Sequence, residues 1–284
     1  MTNVIDTLSG LTRQLEEWRH QHHSIALIPT LGCLHDGHRA LMRAAQDKAD
    51  KRILSIFLNP TQFAPQEDLA NYPHTPDKDK ALADKEGIDV VFMPSVATMY
   101  PPDFCTQITL PELSNRLCGQ HRPHHFPGVL TVVARLFQLT RPDYAVFGEK
   151  DFQQLQLIRR MTSDLALSPT IVAVPTVREA DGLAVSSRNL YLSAHQRRIA
   201  PHLYTTLHHI RNRIINDKAN VTDALSDAQK SLQQHGFNSI DYMTLCDETT
   251  LAPIDKPQTN ARLFAAAYLG QARLIDNLAL YEDH

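Results

Sequence analysis

Two histidines three residues apart, His35 and His38, stand where a short apolar run gives way to strong helix formers. Ile25-Ala26-Leu27-Ile28 reads as a buried parallel strand, and Pro29 is expected to end its ladder. Thr30-Leu31-Gly32 then makes a tight turn, in which glycine lets the backbone come close to a ligand. From about Gly37 the run HRALMRAA predicts a helix. Both imidazoles therefore fall at a helix N-terminus, beside unpaired N–H groups and the positive end of the helix dipole. Those groups together suit a phosphate. The spacing H-x-x-H with Cys33 nearby also suits a metal, but no second ligand pair follows at the right distance. Simple helix capping is a further reading that these residues alone leave open.

Three other polar clusters follow predicted strand ends or the predicted domain junction. Asn59-Pro60-Thr61-Gln62-Phe63 comes after one strand. Gly148-Glu149-Lys150-Asp151-Phe152-Gln153-Gln154 comes after another, with a glycine for close approach and a lysine as a point charge. Ser186-Ser187-Arg188-Asn189 lies just beyond the junction and offers hydroxyls and a guanidinium fork. Taken singly, the first is a turn, Lys150 and Asp151 a solvated pair, and the third a loop. Their shared placement argues for one site.

The elements that must position these groups alternate in type. A helix over Leu8–His20 carries Leu11, Leu15 and Trp18 at helical spacing. Strands are predicted at 53–58, 88–93, 144–147 and 171–177, and an apolar helix at 128–139. Thr75 followed by Pro76 opens another helix, which Gly87 stops. Alternation of this kind predicts an open α/β sheet, mostly parallel, with ligands at the carboxyl ends of its strands. After Val177 the texture changes. Ser193 and Gln196 form a capping box before one long helix through Ile199, Leu203, Leu207, Ile210 and Ile214. A second helix from about Thr222 and strands near 240–246, 263–269 and 273–280 complete a small α+β domain. The expected domains are 1–177 and 178–284, hinged near Arg178.

Composition narrows the class. Hydrophobic residues make up 43% of the 284 and charged residues 21%, an ordinary globular balance. The net charge of −3 argues against a nucleic-acid binder. Cys33, Cys105, Cys118 and Cys246 show no C-x-x-C spacing, which suits reduced thiols in a cytoplasm. Neither a secretory leader nor a run of membrane length is visible.

These motifs are similar to those of the pantoate–β-alanine ligases, in the nucleotidylyltransferase superfamily with the H-x-G-H motif. The similarity is carried by PTLGCLHDGH at 29–38, SIFLNPTQF at 55–63, EDLANYPHTPDKD at 67–79 and RPHHFPGVLTVVARLFQL at 122–139. FGEKDFQQLQLIRRM at 147–161 and VPTVREADGLAVSSRNLYLSAHQR at 174–197 extend it through nearly the whole chain.

The resemblance implies a Rossmann-like domain with helices on both faces, a small C-terminal lid domain, and a homodimer built through the larger domain. It implies ATP and Mg²⁺, with pantoate and β-alanine as the other substrates and a pantoyl adenylate between two steps. His38 matches the proton donor, while His35, Lys150 and Arg188 complete the catalytic set. Leu31, Gly32, Gly148, Glu149, Asp151, Ser186 and Ser187 match ATP contacts, and Val177 and Val185 the backbone positions that read adenine. Gln62 and Gln154 match the amides that hold pantoate, an amide being both donor and acceptor. Gln62 also matches the β-alanine site, and Asn59 props the pocket. Val132 and Val133 match apolar walls, for which core packing is an equal account. Asp79 is a candidate for Mg²⁺, although an acid in a first helical turn needs no metal.

Three positions depart from the family pattern. Leu31 replaces a methionine of similar volume, Cys118 stands where glutamate is common, and Lys78 interrupts an acidic run. Other readings of the same motif are a nucleotidylyltransferase acting on a phosphate ester, a tRNA-charging protein and a non-catalytic nucleotide sensor. The second would need a basic stripe and an anticodon-binding extension, whereas this chain has an acidic balance and a small second domain.

Overall fold

The computed structural model of the chain describes residues 2–281 and falls into two compact units. The first comprises the chain up to Ser114 with Arg122–Glu149 and Leu157–Pro175. The second gathers Asn115–His121, Lys150–Gln156 and the residues from Thr176 onward.

The first unit is built on a parallel sheet of six strands. In chain order its main elements are β1 (Asn3–Ile5), α1 (Leu8–His20), β2 (Ile25–Thr30), α2 (Asp36–Gln46) and β3 (Lys51–Ile56). Then come α3 (Pro76–Lys85), β4 (Val90–Phe92), α4 (His125–Thr140), β5 (Tyr144–Gly148), α5 (Phe152–Asp164), which belongs to this unit from Leu157 onward, and β6 (Thr170–Val174). The spatial order is β1-β4-β3-β2-β5-β6. From β2 the chain first builds outward through β3 and β4. It then returns to add β5 on the other side, so the order reverses between β2 and β5, the place where such sheets bind ligands.

The sheet is apolar on both faces, as covered parallel sheets are. Ala26, Ile28, Leu54, Ile56, Val91 and Val146 pack with Leu41, Met42 and Ala45 of α2. Alternate residues face the other way, and there Phe147 meets Phe137 of α4 edge-on at 6.4 Å between centroids.

The second unit carries an antiparallel sheet of β7 (Ser239–Asp247), β8 (Ala261–Leu269) and β9 (Ala272–Ala279), with β8 in the middle. Its helices are α6 (Ala194–Ile199), α7 (His202–Ile215) and α8 (Val221–Gln234). Leu203, Leu207, Ile210 and Ile214 of α7 join Ala224 and Leu232 of α8 against Leu263, Ala265, Ala267 and Leu274 of the sheet.

Several expectations are corrected. Pro29 does not end its strand, because Pro29 and Thr30 still pair with Ser55 and Ile56 of β3. The Thr30 carbonyl accepts from Phe57 N–H on the β3 side, so Pro29, which has no N–H, faces β5, whose pairing with β2 stops at Leu27. The single long helix after Ser193 is two helices, broken at Pro201, whose ring cannot continue the ladder. Strand β1 and helix α5 were not anticipated.

Candidate active site

The loop after β2 is shaped by a buried carboxylate. Asp79 Oδ2 accepts from Cys33 N–H at 2.9 Å, and Oδ1 accepts from Leu34 N–H at 2.8 Å and from the Thr75 hydroxyl at 3.0 Å. Gly32 takes φ +88°, and a Cβ there would stand 3.2 Å from Asp79 Oδ2. Thr75, placed at the helix cap, thus spends its hydroxyl on Asp79 rather than on a backbone N–H. Both Asp79 oxygens are committed to this loop, which accounts for the residue without a metal. Burial, and then the Asp79 charge, push the Cys33 thiol up from its ordinary pKa, so it stays protonated near neutral pH. Among the described residues no group of three His, Cys, Asp or Glu side chains could hold a metal ion.

This loop delivers His35 to the N-cap of α2. His35 Nδ1 accepts from Gly37 N–H at 3.2 Å, and His38 Nδ1 accepts from His35 N–H at 3.2 Å. The rings lie 4.0 Å apart and tilted by 36°. A nitrogen that accepts from a backbone N–H has no proton of its own, so each imidazole carries its proton on Nε2. The cap therefore fixes two Nε2–H donors at a helix N-terminus. Gly37 is the spacer that permits it, since a Cβ there would lie 2.9 Å from the His35 ring. Capping and phosphate binding, alternatives in the sequence, are here compatible tasks of the same side chains.

The loop after β3 presents Gln62. Asn59 is wholly buried and donates from Nδ2 to Gln62 Oε1 at 3.1 Å and to the Gly128 carbonyl at 3.2 Å. Its Oδ1 accepts from the Thr61 hydroxyl and the Tyr100 phenol, each at 2.9 Å. Burial pushes the Tyr100 pKa up, which keeps that phenol a donor. With Oε1 held, the end of the Gln62 amide left for a ligand is its NH₂ group. The Gln62 carbonyl is held too, by His125 Nδ1 at 3.0 Å, while Arg122 binds Glu67 through Nε at 2.7 Å. Burial would raise the Glu67 carboxyl, but the hydrogen bonds and charge of Arg122 outweigh it and hold the group below its usual range. Gly128 lets α4 touch this loop, because a Cβ would sit 2.4 Å from Thr61 O and 2.7 Å from Gln62 Cα. Val132 and Val133, further along α4, are buried in the same helix.

Strand β5 ends with Gly148, where a Cβ would meet Leu41 at 3.9 Å. Because β3, β2 and β5 are neighbours in a parallel sheet, the loops with Asn59 and Gln62, with Leu31 to His38, and with Gly148 and Glu149 leave the same edge side by side.

The remaining candidates belong to the second unit. Lys150 Nζ lies 3.7 Å from Asp151 Oδ1, and Gln154 is half-buried in the first turn of α5. Its neighbour Gln153 is buried and structural, accepting from Cys118 N–H at 3.0 Å and donating to the Arg116 carbonyl at 2.8 Å. Val185 N–H donates to the Val177 carbonyl at 3.0 Å, closing a turn in which Gly182 takes φ +92°. Ser186 then caps a 3₁₀ turn, Ser187–Tyr191, by accepting from Arg188 N–H at 3.3 Å.

Sequence reasoning gave no role to Tyr100, Gly128, Arg122 or His125. The last three stand in the stretch at 122–139, where polar residues and a glycine precede an apolar helix. No helix among the described residues is long and apolar enough to cross a membrane.

Comparison with known proteins is consistent along the chain. A family model described as pantoate-beta-alanine ligase matches residues 3–279. The pantothenate synthetase of Rhodospirillum rubrum is 46% identical over 278 residues, covering 98% of each chain. That of Thermotoga petrophila is 43% identical over 277 residues, covering 98% of this chain and 99% of its own. The crystal structure of pantothenate synthetase from Thermus thermophilus superposes with a TM-score of 0.93 at 40% identity, covering 99% of this chain and all of the other. A pantoate-beta-alanine ligase from Francisella tularensis, complexed with beta-gamma ATP and beta-alanine, superposes with a TM-score of 0.83 at 32% identity, covering all of this chain and 99% of its own.

Proposed function

The chain belongs to the pantoate–β-alanine ligase family and forms pantothenate, and from that premise we propose how its residues divide the work. A carboxylate is a poor acceptor for an amine, so it is activated first. A pantoate carboxylate oxygen attacks the α-phosphorus of ATP, the bond to the β-phosphate oxygen breaks, and pyrophosphate leaves. The β-alanine nitrogen then attacks the acyl carbon of the pantoyl adenylate, loses a proton, and expels AMP.

The first step brings two anions together, so catalysis is chiefly electrostatic positioning. His35 and His38 serve as Nε2–H hydrogen-bond donors to the phosphates, with His38, the match to the family's proton donor, bonding the transferring group. Neither is a nucleophile, because Nδ1 is taken up by a backbone N–H and Nε2 holds the proton. Lys150 and Arg188 supply positive charge, with Gly32, Leu31, Gly148, Glu149, Asp151, Ser186 and Ser187 as the other ATP contacts and Val177 and Val185 at adenine. Gln62 donates its NH₂ group to pantoate and lies by the incoming amine. Gln154 holds pantoate as well, and Asn59 orients Gln62. A charge-assisted contact of this sort contributes about 1.5–3 kcal/mol. Mg²⁺ would come with ATP as part of the substrate, and would offset phosphate charge. The Asp79 carboxylate, taken up by the loop, does not fit it.

The observation that carries this reading is the alignment of three loops at the carboxyl ends of β3, β2 and β5, where the strand order reverses. We also assign the protein to the cytoplasm, as a homodimer through the sheet-bearing first unit, which sedimentation measures directly. The central test supplies ATP, Mg²⁺ and D-pantoate, with and without β-alanine, and follows pyrophosphate, AMP and pantothenate. Pantothenate formed with one AMP and one pyrophosphate supports the scheme. AMP without an amide product, or turnover that ignores pantoate, refutes it.

A further inference from the structure

Strand β9 carries two adjacent polar residues, Asp276 and Asn277, both at least nine-tenths buried. Strand alternation sends them to opposite faces. Asp276 lies on the face of Leu274, which the helices cover, and receives Arg178 through two bonds of 2.6 and 2.8 Å. Arg178 also donates to the Gly182 carbonyl at 3.1 Å and lies 3.5 Å over the Tyr204 ring, so Asp276 braces the turn that leads into Ser186. Asn277 faces the other way, where its Nδ2 donates to the backbone carbonyl of Lys150 at 3.0 Å.

The orientation of that amide is not left to chance. Arg262 Nη1 donates to Asn277 Oδ1 at 2.7 Å, which turns the NH₂ end toward Lys150. Arg262 is fixed in turn by Glu248 at 2.7 Å and by the Phe152 ring, over which its guanidinium lies at 3.8 Å. Phe152 packs on Phe264, the residue paired with Asn277 across the sheet. The segment holding Lys150 is thus tied to the sheet by a bond at Lys150 and a ring contact two residues later.

We propose that Asn277 is a positioning residue for Lys150, holding its backbone so that the ammonium reaches the phosphates, with Arg262 setting the direction of the amide. The proposal rests on the assignment of Lys150 to the reaction made above. Lysine has a long flexible stem, so its reach is only as well defined as the backbone it springs from. A displacement of about 1 Å at such a group is enough to slow a reaction severalfold to a hundredfold.

Asn277→Asp tests this without removing the packing. The aspartate keeps an acceptor for Arg262 and nearly the same shape, but presents an oxygen where the Lys150 carbonyl needs a donor. A merely structural role predicts rescue by this variant. Positioning through the donor predicts single-turnover adenylate formation slowed about tenfold at a temperature where the variant is fully folded, its thermal midpoint being lowered by the two oxygens left facing each other. In the Lys150→Ala background the same change should slow the reaction less than about twofold, because a residue acting through Lys150 has nothing left to position. Single-turnover mixing resolves even rates slowed ten-thousandfold or so, which keeps the cycle measurable. Should Asn277→Asp not fold, Asn277→Ala goes through the same cycle. A native rate in Asn277→Asp, or equal slowing in both backgrounds, overturns the proposal. A native rate in Lys150→Ala itself instead sinks the assignment of the lysine, and the two failures are told apart by that single variant.

Discussion

Gly128→Ala is the substitution whose effect follows most directly from geometry. Glycine to alanine inside a helix ordinarily stabilises it by about 1 kcal/mol. Here the added methyl would lie 2.4 Å from Thr61 O and 2.5 Å from Thr61 C, both backbone atoms that cannot rotate away. An ordinary contact between such atoms is about 3.4 Å, so helix and loop must part by about 1 Å. Overpacking of that kind costs about 1–3 kcal/mol. The Asn59 bond to the Gly128 carbonyl, 3.2 Å at present, would be lost for about 1 kcal/mol more. After the helix gain is offset, the variant should be about 1–3 kcal/mol less stable. For a chain of 284 residues that lowers the melting midpoint by about 2–5 °C. Gln62 moves with the loop, so the KM for pantoate should rise about tenfold or more while the KM for ATP changes little. Calorimetry and steady-state kinetics with each substrate varied would check both. A midpoint within about 1 °C of the parent, with an unchanged pantoate KM, would show that the close approach is not what holds Gln62.

Gly148→Ala is the counterpart: the only neighbour is Leu41 at 3.9 Å, so calorimetry should find no loss of stability, and any rise in the ATP KM then reports on the close approach of the nucleotide. His38→Ala should lower turnover by at least about a hundredfold, the scale of losing a principal transition-state contact; near-normal turnover would remove His38 from its role. Asp79→Asn should destabilise the enzyme by about 1–3 kcal/mol, because an NH₂ group would face backbone donors, while the Mg²⁺ concentration for half-maximal activity stays put; a shifted Mg²⁺ curve would reinstate Asp79 as a metal ligand. Burial pushes the Cys246 thiol up to about 11, so Cys105, the exposed cysteine, should label fast at pH 8 and Cys246 only on unfolding. The unfolded thiol ionises first as the pH climbs from 9 toward 11, so stability should fall over that window, and less steeply in Cys246→Ala.

What could be read from the sequence was the chemistry that is contiguous in it. His35, Gly37 and His38 lie within one turn, and the strand before them and helix after them each have a plain period. Helix α5 left a signal in Phe152, Leu155, Ile158 and Met161, spaced by three, which the polar residues between them obscured. The break at Pro201 was likewise written in the sequence. Strand β1 was not, because three residues carry too little period to register. Asp79 looked like any acid in a first helical turn until its partners, 45 and 46 residues away, were seen to be backbone N–H groups. Gly128 gives no local hint at all, since what it must avoid is a carbonyl in another loop.

The bond between Asn277 and Lys150 spans 127 residues. A ribosome makes the lysine long before it makes the asparagine. The lysine therefore leaves the exit tunnel on a backbone whose bond to β9 does not yet exist. A nascent chain stalled before β9 would already carry every strand of the parallel sheet and still lack the asparagine that holds the Lys150 carbonyl.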